Sequence, residues 1–184
     1  MGAGNKLLFP FAGTTLVDHV VRTICRAQTG EVIVVLGHEA DRVRAALSTH
    51  TAILVRNGRY PEGMTTSIQT GVRAASDTDG YMICLSDLPL IEPDEFNRLL
   101  AAFDQAVQVD GRCIVVPVFE GRRGNPVLFA ASYKPAILAE REAEGCKAIV
   151  RQHAAHVLEV PMPTDHILHD IDTMAAYQQL QGRM

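Results

Sequence analysis

The chain alternates between two kinds of apolar segment, and this alternation is the feature that most constrains its fold. Short runs of consecutive apolar, largely β-branched residues, such as EVIVVL at Glu31 to Leu36, predict buried strands. Between these runs, apolar residues recur at three- and four-residue spacing, which predicts amphipathic helices. Strands that are apolar on both faces and separated by helices are typical of mostly parallel sheets covered on both sides. We therefore predict a doubly wound α/β fold.

The predicted elements follow one another without low-complexity segments or repeats. One turn, over residues 120–125, is short enough to join its two flanking strands as an antiparallel pair. Pro93 and the threonines before Leu16 mark two helix starts. The pattern predicts strands at 31–36, 52–55, 81–85, 113–118, 127–130 and 157–160, and helices that begin near residues 16, 41, 65, 93, 135 and 173.

Length and composition limit the class of protein. With 184 residues, 47% of them hydrophobic, the chain can bury one substantial core, so we predict a single domain over 1–184. It carries no apolar run of about 18 residues and no secretory signal pattern, which predicts a cytoplasmic protein without a membrane partner. The net charge of −4 and the scattered basic residues argue against nucleic acid as a partner. The four cysteines lack zinc-site spacing and are predicted to be buried, reduced thiols.

Asp87 is the strongest candidate for a functional residue. Ligands of doubly wound sheets bind at the carboxyl ends of the strands, and Asp87 follows the apolar run YMICLS and precedes Leu88 and Pro89. A turn or capping aspartate is the ordinary alternative. Because Mg²⁺ prefers one or two protein carboxylates together with phosphate oxygens, Asp87 is a suitable ligand for this ion.

The other candidate groups are weaker when each is taken alone. Asp170 and Asp172 precede the last predicted helix, where an aspartate is more often a helix cap than a metal ligand. Lys6 follows a glycine-bearing segment and is by itself an ordinary surface lysine. The segment Gly63 to Ser67 places hydroxyls at a helix N-terminus, which suits an anion and also suits capping. Arg122 and Arg123 lie in a turn, where charge usually serves solubility.

These signals occur in the order found in one protein family. The matching segments are MGAGNKLLFPFAGTTLVDHV at 1–20, YPEGMTTSIQTGV at 60–72, LSDLPLI at 85–91, GRRGNPVLF at 121–129 and DIDT at 170–173. Over nearly its whole length, the chain resembles the molybdenum cofactor cytidylyltransferases within the MobA-like NTP transferase family. Each segment is modest alone, but the five in sequence are specific.

The resemblance implies a fold, a reaction and a set of ligands. The fold would be a Rossmann-like three-layer α/β/α sandwich of the nucleotide-diphospho-sugar transferase type, with a mostly parallel central sheet and an antiparallel strand. The cofactor would be Mg²⁺, and the substrates a nucleoside triphosphate, with CTP favoured, and a phosphorylated pterin cofactor that is passed to a molybdoenzyme. Lys6 would contact the triphosphate, Asp87 would hold the metal, and Asp172 or Asp170 would complete the metal site.

Two further segments are carried over to the substrate pocket, with departures from the family pattern. Asn125 stands where the family has histidine, and Ala143 stands where it has aspartate in a Gly-Asp-x-Gly-Ala-Arg segment. The residues implied to line the nucleotide and acceptor pocket are Gly63, Thr65, Thr66, Ser67, Arg123, Gly124 and Asn125.

The front of the chain departs most from the family. Members begin with an apolar strand and a Leu-Ala-Ala-Gly-x-Ser-x-Arg-Met-Gly loop, of which only Met1 and Gly2 stand here. We therefore expect that the sequence begins late and that the neighbours of this strand lack a partner. In the family, that loop reads the base of the nucleotide. Because most of it is absent here, transfer of a guanylyl or another nucleotidyl group to a different phosphorylated acceptor remains open. A non-catalytic factor that binds and delivers the molybdenum cofactor is the alternative from a different class.

Overall fold

The computed structural model describes residues 5–47, 52–142, 145–171 and 177–178 and shows a mixed α/β protein, as predicted. The strands are β1 (Pro10–Phe11), β2 (Thr14–Thr15), β3 (Ile33–Leu36), β4 (Ile53–Arg56), β5 (Gly80–Ile83), β6 (Ile114–Phe119), β7 (Arg122–Arg123), β8 (Val127–Ala130) and β9 (Val157–Pro161). The helices are α1 (Leu16–Arg26), α2 (Ala40–Ala46), α3 (Met64–Ala74), α4 (Pro93–Val109), α5 (Lys134–Ala139) and α6 (Lys147–Gln152). Short 3₁₀ turns cover Lys6–Leu8, Tyr60–Glu62, Ala131–Tyr133, Ala154–His156 and His166–Leu168.

The predicted antiparallel pair is confirmed, and the structure adds a second partner to it. Strand β8 pairs antiparallel with β6 on one side and with β5 on the other, so it lies between two strands that precede it in the chain. The parallel pairs are β6 with β9 and β3 with β4. The insertion of β8 beside β5 was not predicted, because the partner of a strand is set by long-range packing rather than by local pattern.

Strands β3 and β5 each have a single neighbour among the described residues. Among the described residues, β3 pairs with β4 alone and β5 pairs with β8 alone, so these strands belong to separate sheets. Much of β3 is only half-buried, although its sequence is continuously apolar.

Two hairpins use the same kind of tight turn. The β1–β2 turn has Ala12 and Gly13 in the left-handed region, with φ of 46° and 79°. The β6–β7 turn has Glu120 and Gly121 there, with φ of 47° and 77°. Two-residue hairpins of type I′ have positive φ at both central positions because that backbone twist matches the twist of the strands. Alanine and glutamate are unusual at the first position, where glycine, asparagine or aspartate is favoured.

Helices are held to the sheets by two main apolar contacts. In the larger core, α4 packs on the five-stranded sheet through Phe96, Leu99 and Phe103, against buried residues that include Ile114 and Phe129. In the smaller core, Val17 and Val21 of α1 meet Leu36 of β3 and Val43 of α2. These contacts follow the helical spacing read from the sequence.

The predicted helix starts are confirmed at two sites. Thr15 caps α1 by accepting a hydrogen bond from the Asp18 N–H, and Pro93 is the first residue of α4. The helix predicted over 173–180 falls largely outside the described residues. None of the described helices has the length and apolar character needed to cross a membrane.

Gly80 is required by close packing rather than by its backbone conformation. A Cβ added there would overlap the Phe103 ring and lie 2.6 Å from the backbone oxygen of Phe129. We expect Gly80→Ala to lower the free energy of unfolding by about 1–3 kcal/mol, because α4 or β8 must shift to accommodate it. Gly30→Ala is the matched control, since nothing lies within 4 Å of its added Cβ. Urea unfolding measures the free energy of unfolding of both variants. Equal values for Gly80→Ala and Gly30→Ala would contradict the prediction.

Candidate active site

The structure brings together the two residues predicted to be catalytic. The Lys6 ammonium group lies 2.7 Å from the Asp87 carboxylate, although 81 residues separate them in the chain. The two side chains are 25% and 17% exposed, so the pair is mostly withdrawn from water but open on one side. The Asp87 carboxylate is therefore not turned into the core, and the pair is accessible at this edge.

Asp87 is held in place by its buried neighbours. It lies four residues after β5 ends, and Leu88, next in the chain, is 4% exposed. The His19 side chain contacts this loop through a hydrogen bond of 3.1 Å from its Nε2 atom to the carbonyl oxygen of Pro89. The loop is thus fixed between the core and α1, and the Asp87 side chain stays partly exposed beside it.

Lys6 reaches Asp87 from a short, capped turn. The Asn5 side chain accepts a hydrogen bond from the Leu7 N–H, and the Phe9 N–H donates to the Lys6 carbonyl oxygen. The Leu16 N–H then donates to Phe9, which connects this turn to the start of α1. A lysine of ordinary appearance in the sequence is therefore placed by backbone hydrogen bonds.

The second predicted carboxylate segment lies beside Asp87. The Ile171 N–H donates a hydrogen bond of 3.0 Å to the Asp87 carbonyl oxygen, which places Asp170, the preceding residue, next to this loop. Asp172 lies outside the described residues, so its predicted metal role stays a prediction. Within 5–47, 52–142, 145–171 and 177–178, no three His, Cys, Asp or Glu side chains converge as a metal cluster. Carboxylates at Asp87 and Asp170 are nevertheless the donor type that a hard divalent cation prefers.

The Gly63 to Ser67 segment does form a helix start, but its hydroxyls serve other partners. Gly63, with φ of 111°, precedes α3, and Thr65 and Thr66 are buried in the first turn. The Thr65 hydroxyl donates to the Glu142 carbonyl oxygen and accepts from the Gly145 N–H. The Thr66 hydroxyl lies within hydrogen-bond distance of the Arg59 and Gly63 carbonyl oxygens. These hydroxyls hold neighbouring segments together, and a nucleotide contact by this segment stays a prediction.

Asn57 is a buried residue of this region that the sequence analysis missed. Its Nδ2 atom donates to the hydroxyls of Thr66 and Ser67 at 2.9 and 3.0 Å, and its Oδ1 atom accepts from the Arg59 N–H. It follows β4 directly, so the rule that singled out Asp87 could have found it. Asn57 ties the end of β4 to the first turn of α3.

The predicted turn at Arg123, Gly124 and Asn125 is closely packed. Arg123 forms an ion pair with Glu159 on β9, with its Nε atom 2.7 Å from the carboxylate. The Asn125 N–H donates to the Ile167 carbonyl oxygen, and a Cβ on Gly124 would overlap this same oxygen. The turn therefore supports the 166–168 turn, and its contact with substrate stays a prediction.

Glu95, in the first turn of α4, anchors the segment 164–166. This buried carboxylate accepts hydrogen bonds from the Thr164 hydroxyl at 2.5 Å, the His166 ring at 2.8 Å and the Glu92 N–H at 2.9 Å. Three donors compensate for taking a carboxylate out of water. The sequence analysis passed over Glu95 because it lies in the first turn of α4, where acidic residues are common.

A cavity of about 310 Å³ lies next to this segment. It is at the carboxyl end of β6, where ligands of such sheets bind. On its rim, the His169 ring lies 2.7 Å from the Asp165 carboxylate, and this hydrogen bond lowers the pKa of Asp165. The cavity is lined by Phe119, Glu120, Arg122, Asp165, Leu168 and His169.

The cysteines are unsuited to nucleophilic catalysis. The four thiols are free, as predicted, but only Cys113 is fully buried, and Cys25, Cys84 and Cys146 are half-buried. Burial raises the pKa of both Cys84 and Cys146 to about 12, so their thiols stay protonated near neutral pH. Covalent catalysis by a thiolate at these positions is therefore disfavoured.

Comparison with known proteins assigns the chain to a family. A family model described as MobA-like NTP transferase domain matches residues 1–157. The chain belongs to this family. This places it among the nucleotidyltransferases, as the sequence resemblance implied.

Some of its relatives align with nearly the whole chain. The nicotine blue oxidoreductase of Paenarthrobacter nicotinovorans is 26% identical and aligns with 98% of this chain and 89% of its own length. Rv0371c from Mycobacterium tuberculosis H37Rv superimposes with a TM-score of 0.85 at 20% identity, over 98% of this chain and 90% of that one. A structure of Rv0371c in complex with manganese superimposes with a TM-score of 0.74 at 21% identity, over 97% and 92% of the two chains. A nucleotidyl transferase from Methanothermobacter superimposes with a TM-score of 0.81 at 23% identity, over 97% and 84%. These likenesses confirm the predicted fold.

Removal of the Glu95 carboxylate should loosen the wall of the cavity. In Glu95→Ala, the Thr164 hydroxyl and His166 ring lose their acceptor, so we expect the free energy of unfolding to fall by about 1–3 kcal/mol. Hydrogen exchange of residues 164–169 should also become faster. Asp104→Ala, at an exposed position of the same helix, is the control and should stay within about 0.5 kcal/mol of the parent. Unchanged exchange in Glu95→Ala would remove Glu95 from this role.

Proposed function

We propose that the protein transfers a nucleoside monophosphate from a nucleoside triphosphate, CTP by preference, to a phosphorylated pterin cofactor. The observation that carries this proposal is the Lys6–Asp87 pair, which places an ammonium group and a carboxylate 2.7 Å apart at the exit of β5. A carboxylate suits a divalent cation, and an ammonium group suits phosphate oxygens. Membership of the MobA-like NTP transferase family supports the reaction class.

In the proposed reaction, a terminal phosphate oxygen of the acceptor attacks the α-phosphorus of the triphosphate. A new phosphoanhydride bond forms as the bond from the α-phosphorus to the bridging oxygen breaks, and pyrophosphate leaves with that electron pair. No protein nucleophile is required, because positioning and charge neutralisation can supply most of the catalysis. The high pKa of the buried thiols is consistent with this direct transfer.

The residues of the chain have separate tasks in this scheme. Lys6 would move from Asp87 toward the leaving phosphates, where its charge offsets the charge that develops on them. Asp87, with Asp170 or Asp172, would hold Mg²⁺, which when bound acts as a Lewis acid on phosphate oxygens. The manganese complex of Rv0371c supports a divalent cation in this fold. The backbone N–H groups at the start of α3 are suited to an anion.

A second candidate function is suggested by the nicotine blue oxidoreductase, which aligns with nearly the whole chain. That protein is named an oxidoreductase, so redox chemistry on an aromatic substrate is an alternative to nucleotidyl transfer. Binding of NADH or NADPH in preference to nucleoside triphosphates would favour it. A pterin-delivering factor without catalysis is the third possibility, and it predicts pterin binding without nucleotide binding.

Thermal unfolding with CTP, GTP and ATP, each with and without Mn²⁺ or Mg²⁺, tests the proposal. A ligand at about 100 times its dissociation constant stabilises by about 2.7 kcal/mol, which corresponds to an increase of about 5–10 °C in Tm. We expect the largest increase with CTP and metal together. If none of the triphosphates raises Tm, nucleotidyl transfer is excluded and the delivery factor is favoured.

The two charged residues can then be separated by mutation. We expect Asp87→Asn to lower kcat/KM by about 100-fold or more and to abolish the metal-dependent part of the Tm increase, with Tm of the free protein little changed. Lys6→Ala should weaken binding of the triphosphate while leaving Mn²⁺ binding intact, because it removes the ammonium group from the Asp87 carboxylate. Asp77→Asn, at an exposed position before β5, is the control. Near-normal turnover in Asp87→Asn would exclude Asp87 as the metal ligand.

A further inference from the structure

The His19 ring of α1 is bonded to the loop that carries Asp87. Its Nε2 atom lies 3.1 Å from the carbonyl oxygen of Pro89, two residues after Asp87. A carbonyl oxygen can only accept a hydrogen bond, so this ring nitrogen carries the hydrogen and donates it. His19 is half-buried, but Asp18 and Val20, on either side of it in the chain, are buried, so the backbone that carries the ring is fixed in the core.

A second contact holds the same ring against the hairpin of β1 and β2. The rings of His19 and Phe11 meet edge to face, with centroids 4.9 Å apart and ring planes at 61°. This is a favoured arrangement of two aromatic rings, and Phe11 is itself buried. The His19 side chain is therefore oriented by a hydrogen bond and by an aromatic contact.

Phe11 belongs to a small apolar cluster that connects the segments of all three candidate charged residues. Its buried members are Phe11, Leu16, Ile171 and Tyr177, and Leu7, Phe9 and Leu90 pack against them. In the chain, Leu7 follows Lys6, Ile171 follows Asp170, and Leu90 lies three positions after Asp87. One cluster therefore places the backbone of the three segments, and His19 connects this cluster to the Asp87 loop.

The Asp87 loop depends on such connections because it forms neither helix nor strand. Residues 84–92 join β5 to α4, and Asp87 lies near their middle. The Ile171 N–H donates to the Asp87 carbonyl oxygen, and His19 donates to that of Pro89. A displacement of about 1 Å can lower the rate of a catalysed reaction by about 100-fold. A donor that fixes this loop can therefore control chemistry that it does not touch.

We propose that His19 is a positioning residue, which fixes the Asp87 carboxylate relative to the Lys6 ammonium group through its hydrogen bond to Pro89. The arrangement that it maintains is the pair at 2.7 Å. His19 touches neither phosphate nor metal in this role. The inference rests on the proposed function for the metal that Asp87 would hold, but the position of the loop can be measured without metal.

Two variants separate the hydrogen bond from the ring. His19→Phe keeps an aromatic ring beside Phe11 but has no donor, whereas His19→Gln keeps an N–H donor and has no ring. The reporter is hydrogen exchange of the Ile171 amide, measured by NMR without metal, because this N–H is bonded to the Asp87 carbonyl oxygen. We expect exchange to be about fivefold to tenfold faster in His19→Phe, and within about threefold of the parent in His19→Gln.

Binding of Mn²⁺ alone, followed by the EPR signal of the free ion, reports whether the carboxylate is displaced as well. Residues that support a metal ligand typically change metal affinity by about 10-fold or more when they are replaced. We expect the dissociation constant for Mn²⁺ to rise by about 10-fold in His19→Phe and by about twofold or less in His19→Gln.

His156→Phe is the matched control, because this half-buried histidine is hydrogen-bonded to Tyr133 instead. It should change neither the exchange of the Ile171 amide nor the affinity for Mn²⁺. A purely structural role for His19 would lower Tm in both phenylalanine variants and leave Mn²⁺ affinity unchanged in both.

The inference is overturned if His19→Phe matches the parent in either measurement. It is also overturned if His19→Gln is impaired as strongly as His19→Phe, because the ring rather than the hydrogen bond would then hold the loop.

Failure of the proposed function gives a different result. If the parent binds neither Mn²⁺ nor any triphosphate, nucleotidyl transfer is excluded, and exchange of the Ile171 amide alone decides whether His19 positions the loop. If the parent binds both and transfers the nucleotide, but His19→Phe exchanges and binds Mn²⁺ as the parent does, the proposed function stands and the inference fails.

Discussion

A carboxylate and an ammonium group that are both largely withdrawn from water stabilise each other when they are in contact. The Lys6–Asp87 pair meets this condition at 2.7 Å, with each side chain about a quarter exposed or less. The pair therefore places two opposite charges side by side at the exit of β5.

Hydrogen bonds hold the backbone of the Asp87 loop in place. The Asp87 carbonyl oxygen accepts a hydrogen bond from the Ile171 N–H, and the His19 ring of α1 is hydrogen-bonded to the Pro89 carbonyl oxygen in the same loop. Through Ile171, the same arrangement connects to the segment that Glu95 anchors. Two sites of different electrostatic character result. The first balances a carboxylate with an ammonium group, whereas the cavity beyond it has more carboxylates than cations.

The hairpins show how backbone geometry limits what local sequence can predict. A two-residue connection between β6 and β7 requires positive φ at Glu120 and Gly121. Gly121 fits this requirement, but Glu120 does not, and propensity alone would not assign it there. Similarly, Thr65 and Thr66 look like open helix-capping hydroxyls, yet the structure uses them to bind Glu142 and Arg59. Their partners are distant or in a loop, so no local pattern reveals them.

Local sequence by itself determined the elements, the two helix starts, the turn between β6 and β8 and the position of Asp87 after a strand, because these depend on periodicity and on single-residue conformational preferences. Tertiary structure alone decided that β8 lies beside β5, that Lys6 meets Asp87 and that Glu95 binds Thr164 and His166. Each of these contacts joins residues more than forty positions apart. Their formation depends on how the helices and strands pack, which short-range pattern does not encode.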